Sequence, residues 1–218
     1  MKNALSFVFI LSIIFAQGQE KTRISLEHYK NYEWTSNPTF SPDGKQILYS
    51  RTWINLVDDK RETDLWIMNW DGSTNRFFLN GSDGKWSLDG NKIAFTKKGE
   101  PNGTQIFVKY LGVEGDPTQI TKLEKSPFSI EWSPDGEYIA FIMHVSLEPA
   151  LKPKGVPTQP KGATWTKVPE VIDQVDYSQD RVGFLKRGFR QLFIVSAEGG
   201  TARQITFGEY DDVSAGIA

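Results

Sequence analysis

The tetrapeptide Ser-Pro-Asp-Gly stands at residues 41–44 and again at 133–136, with Ser-Leu-Asp-Gly at 87–90 between them, and the step is 46 residues each time. A fixed period of roughly 20–50 residues marks a chain that stacks copies of one supersecondary unit. The unit's grammar is readable around the third copy, Ser-Ile-Glu-Trp-Ser-Pro-Asp-Gly-Glu-Tyr-Ile-Ala-Phe-Ile-Met. Ile130 and Trp132 alternate with Glu131 and Ser133, as in a half-buried strand. Pro134 presets φ for a type I turn, Asp135 suits the next position, and Gly136 accepts the positive φ that follows. The tetrapeptide therefore predicts a hairpin tip, after which residues 138–143 resume as a strand.

Each unit then carries two more strands. One reads Asp-Leu-Trp-Ile from residue 64, Gln-Ile-Phe-Val from 105 and Gln-Leu-Phe-Ile from 191, and the last reads Arg-Phe-Phe-Leu from 76, Thr-Gln-Ile-Thr from 118 and Arg-Gln-Ile-Thr from 203. Four short antiparallel strands per repeat predict an all-β chain of β-propeller blades, about three of them in an incomplete ring. A β-sandwich also has short strands but gives no reason for an internal repeat. The Trp-Asp pair of the WD type occurs once, at Trp70-Asp71, inside a turn. Phe40, Trp66, Trp86, Phe107, Trp132, Phe141 and Phe193 recur with the repeat and are assigned to packing between blades.

The Trp/Phe-Ser-Pro-Asp-Gly hairpins, the Asp-Leu-Trp-Ile strand and the closing Gln-Ile-Thr strands resemble the propeller repeats of TolB-like periplasmic proteins and of the prolyl oligopeptidase family of serine peptidases. Residues 24–51 resemble the lead-in helix and first blade of the acylaminoacyl-peptidase branch. Residues 164–212 are similar to the segment of that branch in which a long insertion leads into two closing strands. The resemblance implies an N-terminal propeller covering a C-terminal α/β-hydrolase domain whose Ser-Asp-His triad cleaves short peptides. The propeller would gate access to that domain. Peptide substrates are the implied ligands, and no cofactor or metal is implied. The TolB likeness implies instead an interaction scaffold with no reaction of its own.

No catalytic residue is assigned within these 218 residues. The nearest approach to a Gly-x-Ser-x-Gly elbow is Asp212-Val213-Ser214-Ala215-Gly216, which lacks the first glycine that the sharp turn requires. The two histidines, His28 and His144, have no nucleophile beside them in sequence and are expected to be exposed polar groups. Spacing from Phe193 places a fourth tip serine at 214–219, so the segment reads as the N-terminal part of a longer protein, with the hydrolase domain as its missing partner.

The division expected is a signal peptide over 1–18, a lead-in segment with a short helix over 19–37, and a partial propeller over 38–218. Lys2 followed by an apolar run over 4–16 and the small residues around Gly18 fit a secretory leader, and the run is shorter than the ~20 residues of a membrane span. Export to the periplasm or medium follows. The absence of cysteine removes disulfides, thiolate metal sites and a cysteine nucleophile. With 25 basic and 27 acidic residues, no net field points to nucleic acid.

An insertion over 144–188 holds five of the eleven prolines and should be an exposed, poorly regular loop. Two roles stay open for it: a merely solvated loop, or an edge to the cavity between propeller and hydrolase domain or a contact with a second copy in a homo-oligomer. Trp165 and Tyr177 are its residues expected to pack on another body. The sequon matches at Asn80 and Asn102 are read as hairpin Asn-Gly turns. Asp43, Asp89 and Asp135 lack the companion ligands of a calcium site.

Overall fold

A computed structural model describes residues 23–211 apart from 148–154, 156, 167–171, 173, 174, 176, 181 and 182. Residues 1–18, expected to be a signal peptide, and the elbow-like segment 212–216 lie outside the described residues. A five-residue helix, α1 (Leu26–Lys30), precedes three four-stranded antiparallel sheets. The first blade runs β1 (Trp34–Phe40), β2 (Gln46–Asn55), β3 (Lys60–Asn69) and β4 (Arg76–Asn80). The second runs β5 (Ser82–Trp86), β6 (Lys92–Lys98), β7 (Thr104–Tyr110) and β8 (Thr118–Gln119). In the third, β9 (Phe128–Trp132) and β10 (Tyr138–Ser146) are separated from β13 (Gly188–Ser196) and β14 (Arg203–Gln204) by the insertion. The insertion contains a hairpin of its own, β11 (Ser178–Gln179) with β12 (Gly183–Phe184), so it is more regular than its composition predicts.

The repeat places the same cross-strand pair in the middle of every blade. Tyr49 faces Trp66, Phe95 faces Phe107 and Phe141 faces Phe193. Phe95 and Phe107 stack at 5.8 Å against an aliphatic layer of Leu48, Leu65, Ile67 and Leu79 from the first blade. Phe141 and Phe193 stack at 5.6 Å within a core that includes Ala94, Ile106 and Val108 of the second. At both junctions an aromatic-bearing face of one sheet thus meets an aliphatic face of the sheet before it, and burial of the two is what joins neighbours. Gly84 shows how close the sheets come, because a Cβ there would sit 2.7 Å from a Leu48 methyl.

An indole ladder fixes the register between blades. Trp86 Nε1 donates to the Thr39 carbonyl at 3.4 Å, and 46 residues later Trp132 Nε1 donates to the Lys85 carbonyl at 3.0 Å. Trp132→Phe keeps an aromatic ring but removes the donor and part of the indole's volume, and it should cost about 1 kcal/mol or more in urea unfolding. Trp86→Phe, whose bond is longer, should cost less; equal losses would mean the rings carry the effect.

Two members of the aromatic set behave differently from expectation. Phe40 occupies the ladder position in the first blade but is 63% exposed, because among the described residues no preceding sheet covers that face. Trp66 packs within its own blade, edge-on to Phe77 with the Arg51 guanidinium 4.5 Å above the ring.

Candidate functional site

The three tips are the same hydrogen-bonded device. Ser41, Ser87 and Ser133 donate through Oγ to Asp43, Asp89 and Asp135 at 2.5–2.6 Å, and each Oγ accepts at 2.9 Å from the amide five residues on. Each carboxylate also accepts from the amide two residues on, of Lys45, Asn91 and Glu137. The glycines close the turns at φ of 71–72°. With its hydroxyl committed to a carboxylate, no tip serine is arranged as a nucleophile.

The tip carboxyls titrate below the ordinary carboxylate range, first because of the serine hydroxyl and then because of the backbone amide. A depressed folded-state value means stability present above the unfolded-state pKa and lost as pH falls through the folded one. Asp89→Asn should therefore lose less stability than the parent chain between about pH 6 and about pH 3. Thermal melts at the two pH values check this; identical acid losses would remove the tips from the acid response.

Within the first, or inner, strand of each blade (β1, β5 and β9) the repeat hides a second device. Asn37, Asp83 and Ser129, again 46 residues apart, have left-handed φ of 51°, 53° and 51° and sit where the register of each inner strand slips against its neighbour. Three bulges at one position turn the inner edges away from regular pairing. Asn, Asp and Ser tolerate that conformation because short polar side chains bond locally. Asp83 Oδ2 accepts from the Ile130 amide of the next blade at 3.3 Å, while Lys85 pairs with Glu131 beside it. Burial pushes the Asp83 carboxyl up, against the lowering effect of the Ile130 amide and Lys85. Its contribution to stability has the opposite sign from the tips, since acid relieves the cost of a desolvated charge.

A cleft of about 290 Å³ separates the second and third tips and is lined by Leu88, Asp89, Lys92, Pro134 and Asp135. Lys92 reaches Glu198 at 3.4 Å, and Glu198 accepts from the Tyr110 hydroxyl at 2.8 Å, so this polar group ties the two blades. Between the first and second tips the Pro42 ring fills the corresponding space, 3.5 Å from where a Gly90 Cβ would stand.

His28 is exposed and caps α1, accepting at Nδ1 from the Ser25 amide at 3.1 Å, with the Ser25 hydroxyl 2.9 Å away. This serine–histidine contact is a capping box. His144 is half-buried at the root of the insertion, which corrects the expectation of a plain exposed group. Tyr177, 45% exposed, stacks on Phe184 inside the insertion, and Trp165 is 43% exposed. Asn80-Gly81 links the first blade to the second and is not the hairpin turn expected, since β4 and β5 lie in different sheets, and Asn80 donates to Asp64 at 2.7 Å. Among the described residues no group of three or more His, Cys, Asp or Glu is placed to hold a metal ion, and no helix is long and apolar enough to cross a membrane.

No known protein-family profile matches the chain. It is similar to the uncharacterized peptidase YuxL of Bacillus subtilis, 25% identical over 178 residues that make up 78% of this chain and 26% of that one. It is also similar to dipeptidyl-peptidase 5 of Porphyromonas endodontalis, 28% identical over 113 residues, 50% of this chain and 16% of the other. Among solved structures, the acylaminoacyl peptidase of Pyrococcus horikoshii is similar in fold, with a TM-score of 0.63 and 22% identity over 84% of this chain and 26% of that chain. The chain spans about a quarter or less of the length of the curated relatives it matches.

Proposed function

We propose that this chain, whose homologues are peptidases, supplies three blades of the propeller of an exported serine peptidase that hydrolyses short peptides. The observation that carries the proposal is the likeness to peptidase YuxL along 78% of the chain. In this reading a C-terminal α/β-hydrolase domain holds the Ser-Asp-His triad, and the propeller gates the route by which peptides reach it. The blade-to-blade construction supports a gate, because aromatic pairs packed on the neighbouring blade and the indole ladder hold adjacent blades in fixed register. The leader over 1–18 supports export.

Sequencing the locus past the codon for Ala218 tests the enzyme part. The expected continuation runs through further Ser-Pro-Asp-Gly tips into a Gly-x-Ser-x-Gly elbow with later Asp and His, and a reading frame without an elbow would sink it. For the gate, the full-length product should cleave a short reporter peptide and spare the same sequence within an unfolded protein; equal cleavage rates would refute gating. Fractionation of cells expressing the gene with and without codons 2–18 tests export, which fails if both products stay in the cytoplasm.

A further inference from the structure

The root of the insertion holds a cluster that the peptidase reading leaves unused. The strands β10 and β13 run side by side up to the pair Ser146–Gly188, and a hydrogen bond of 2.9 Å from the Leu147 amide to the Arg187 carbonyl closes the neck beyond it. His144 lies within this neck, opposite Arg190 in the register. Its ring rests against the backbone of residue 188, where a Cβ would meet His144 Cε1 at 2.6 Å and the Val145 carbonyl at 2.2 Å. Only glycine at 188, at φ 152°, leaves room for the imidazole there.

Charged groups from three elements around the neck act on this ring. Lys125, from the crossover between the second and third blades, donates to the Ser146 hydroxyl two residues beyond His144. Arg190 lies on β13, its guanidinium 5.8 Å from the Phe128 ring centre, and Asp211 accepts from the Arg190 amide at 2.8 Å. Two cations and one carboxylate therefore act electrostatically on a half-buried imidazole at the place where the chain leaves the blade and returns to it.

We propose that this neck is a pH-operated latch, closed while His144 is neutral and opened when His144 takes up a proton between Lys125 and Arg190. Burial is the first reason that His144 resists the proton, holding its pKa below the ordinary 6.5, and Lys125 and Arg190 add to it against the opposing pull of Asp211 and the residue 188 backbone. A folded-state value depressed for a histidine means that the closed neck gains its stability above about pH 6.5 and loses it as pH falls through the lower value. Mild acid would then loosen the insertion while the blades stay folded. The inference is independent of the peptidase reading.

Hydrogen exchange on the full chain at about pH 7.5 and about pH 5.5, corrected for the intrinsic exchange rate, tests it. The Leu147 amide should lose protection several-fold on acidification, while the tip amides of Gln46 and Lys92 keep theirs. In His144→Gln the Leu147 amide should stay protected at both pH values. Lys125→Gln supplies a second reading, because removing one opposing cation should move the midpoint of neck opening to higher pH. The proposal is overturned if Leu147 protection does not respond to pH in the parent chain, or if His144→Gln responds equally.

Discussion

Replacing Phe95 by alanine is expected to destabilise the protein by about 3–5 kcal/mol, the range for a fully buried phenylalanine truncated in a core that relaxes only in part. Phe95 is fully buried, stacks on Phe107 at 5.8 Å and 26°, and shares its cluster with Leu48, Leu65 and Ile67 of the neighbouring blade. The truncation therefore removes contacts within one sheet and between two. Stacked sheets hold their neighbours through such faces, so the loss should loosen the junction of the first and second blades. Phe40→Ala is the matched control: it too removes a repeat-spaced aromatic, but one that is 63% exposed, and its effect should stay within about 0.5 kcal/mol. Chemical unfolding of the two variants decides the matter. A loss below about 1 kcal/mol for Phe95→Ala would mean that the inter-blade layer adapts to a void of this size.

The contrast between Phe95 and Phe40 also shows where sequence reading reaches its limit. Strand order, tips and blade count were legible because they depend on local chemistry repeated at a fixed spacing. The tips in particular need only Ser, Asp and Gly at set offsets, and all three copies form the same bonds. Exposure of Phe40 was not legible, since it depends on what lies across the face and not on the residue. The left-handed bulges were missed for another reason. Asn37, Asp83 and Ser129 share no identity, and only the 46-residue overlay shows three short polar residues at one place. The His144 neck escaped because its parts come from a crossover, two strands and a residue after the last strand, joined only by folding.

Gln105→Leu is expected to cost about 3 kcal/mol or more, because it leaves several buried polar groups without partners at once. The Gln105 side chain is fully buried, donates to the Asn102 and Leu123 carbonyls at 2.9 and 2.8 Å, and accepts from the Thr121 hydroxyl and the Leu123 amide at 2.9 and 2.8 Å. Thr121 in turn accepts from the Ile106 amide at 2.9 Å. One amide thus anchors the crossover from the second blade to the third. The third blade repeats the arrangement less completely: Gln191 donates to the Tyr210 carbonyl at 2.9 Å, Thr206 accepts from the Leu192 amide at 2.9 Å, and among the described residues the Gln191 Oε1 has no partner. Gln191→Leu should therefore cost distinctly less, and the difference between the two variants isolates the acceptor half of the network from the apolar volume that both gain. Hydrogen exchange at the Leu123 amide gives the local readout, with protection lost in Gln105→Leu and kept in Gln191→Leu. If both variants unfold at the same denaturant concentration with Leu123 still protected, the crossover is held by the packing of Ile120 and Leu123 in the core, and the buried amide only satisfies itself.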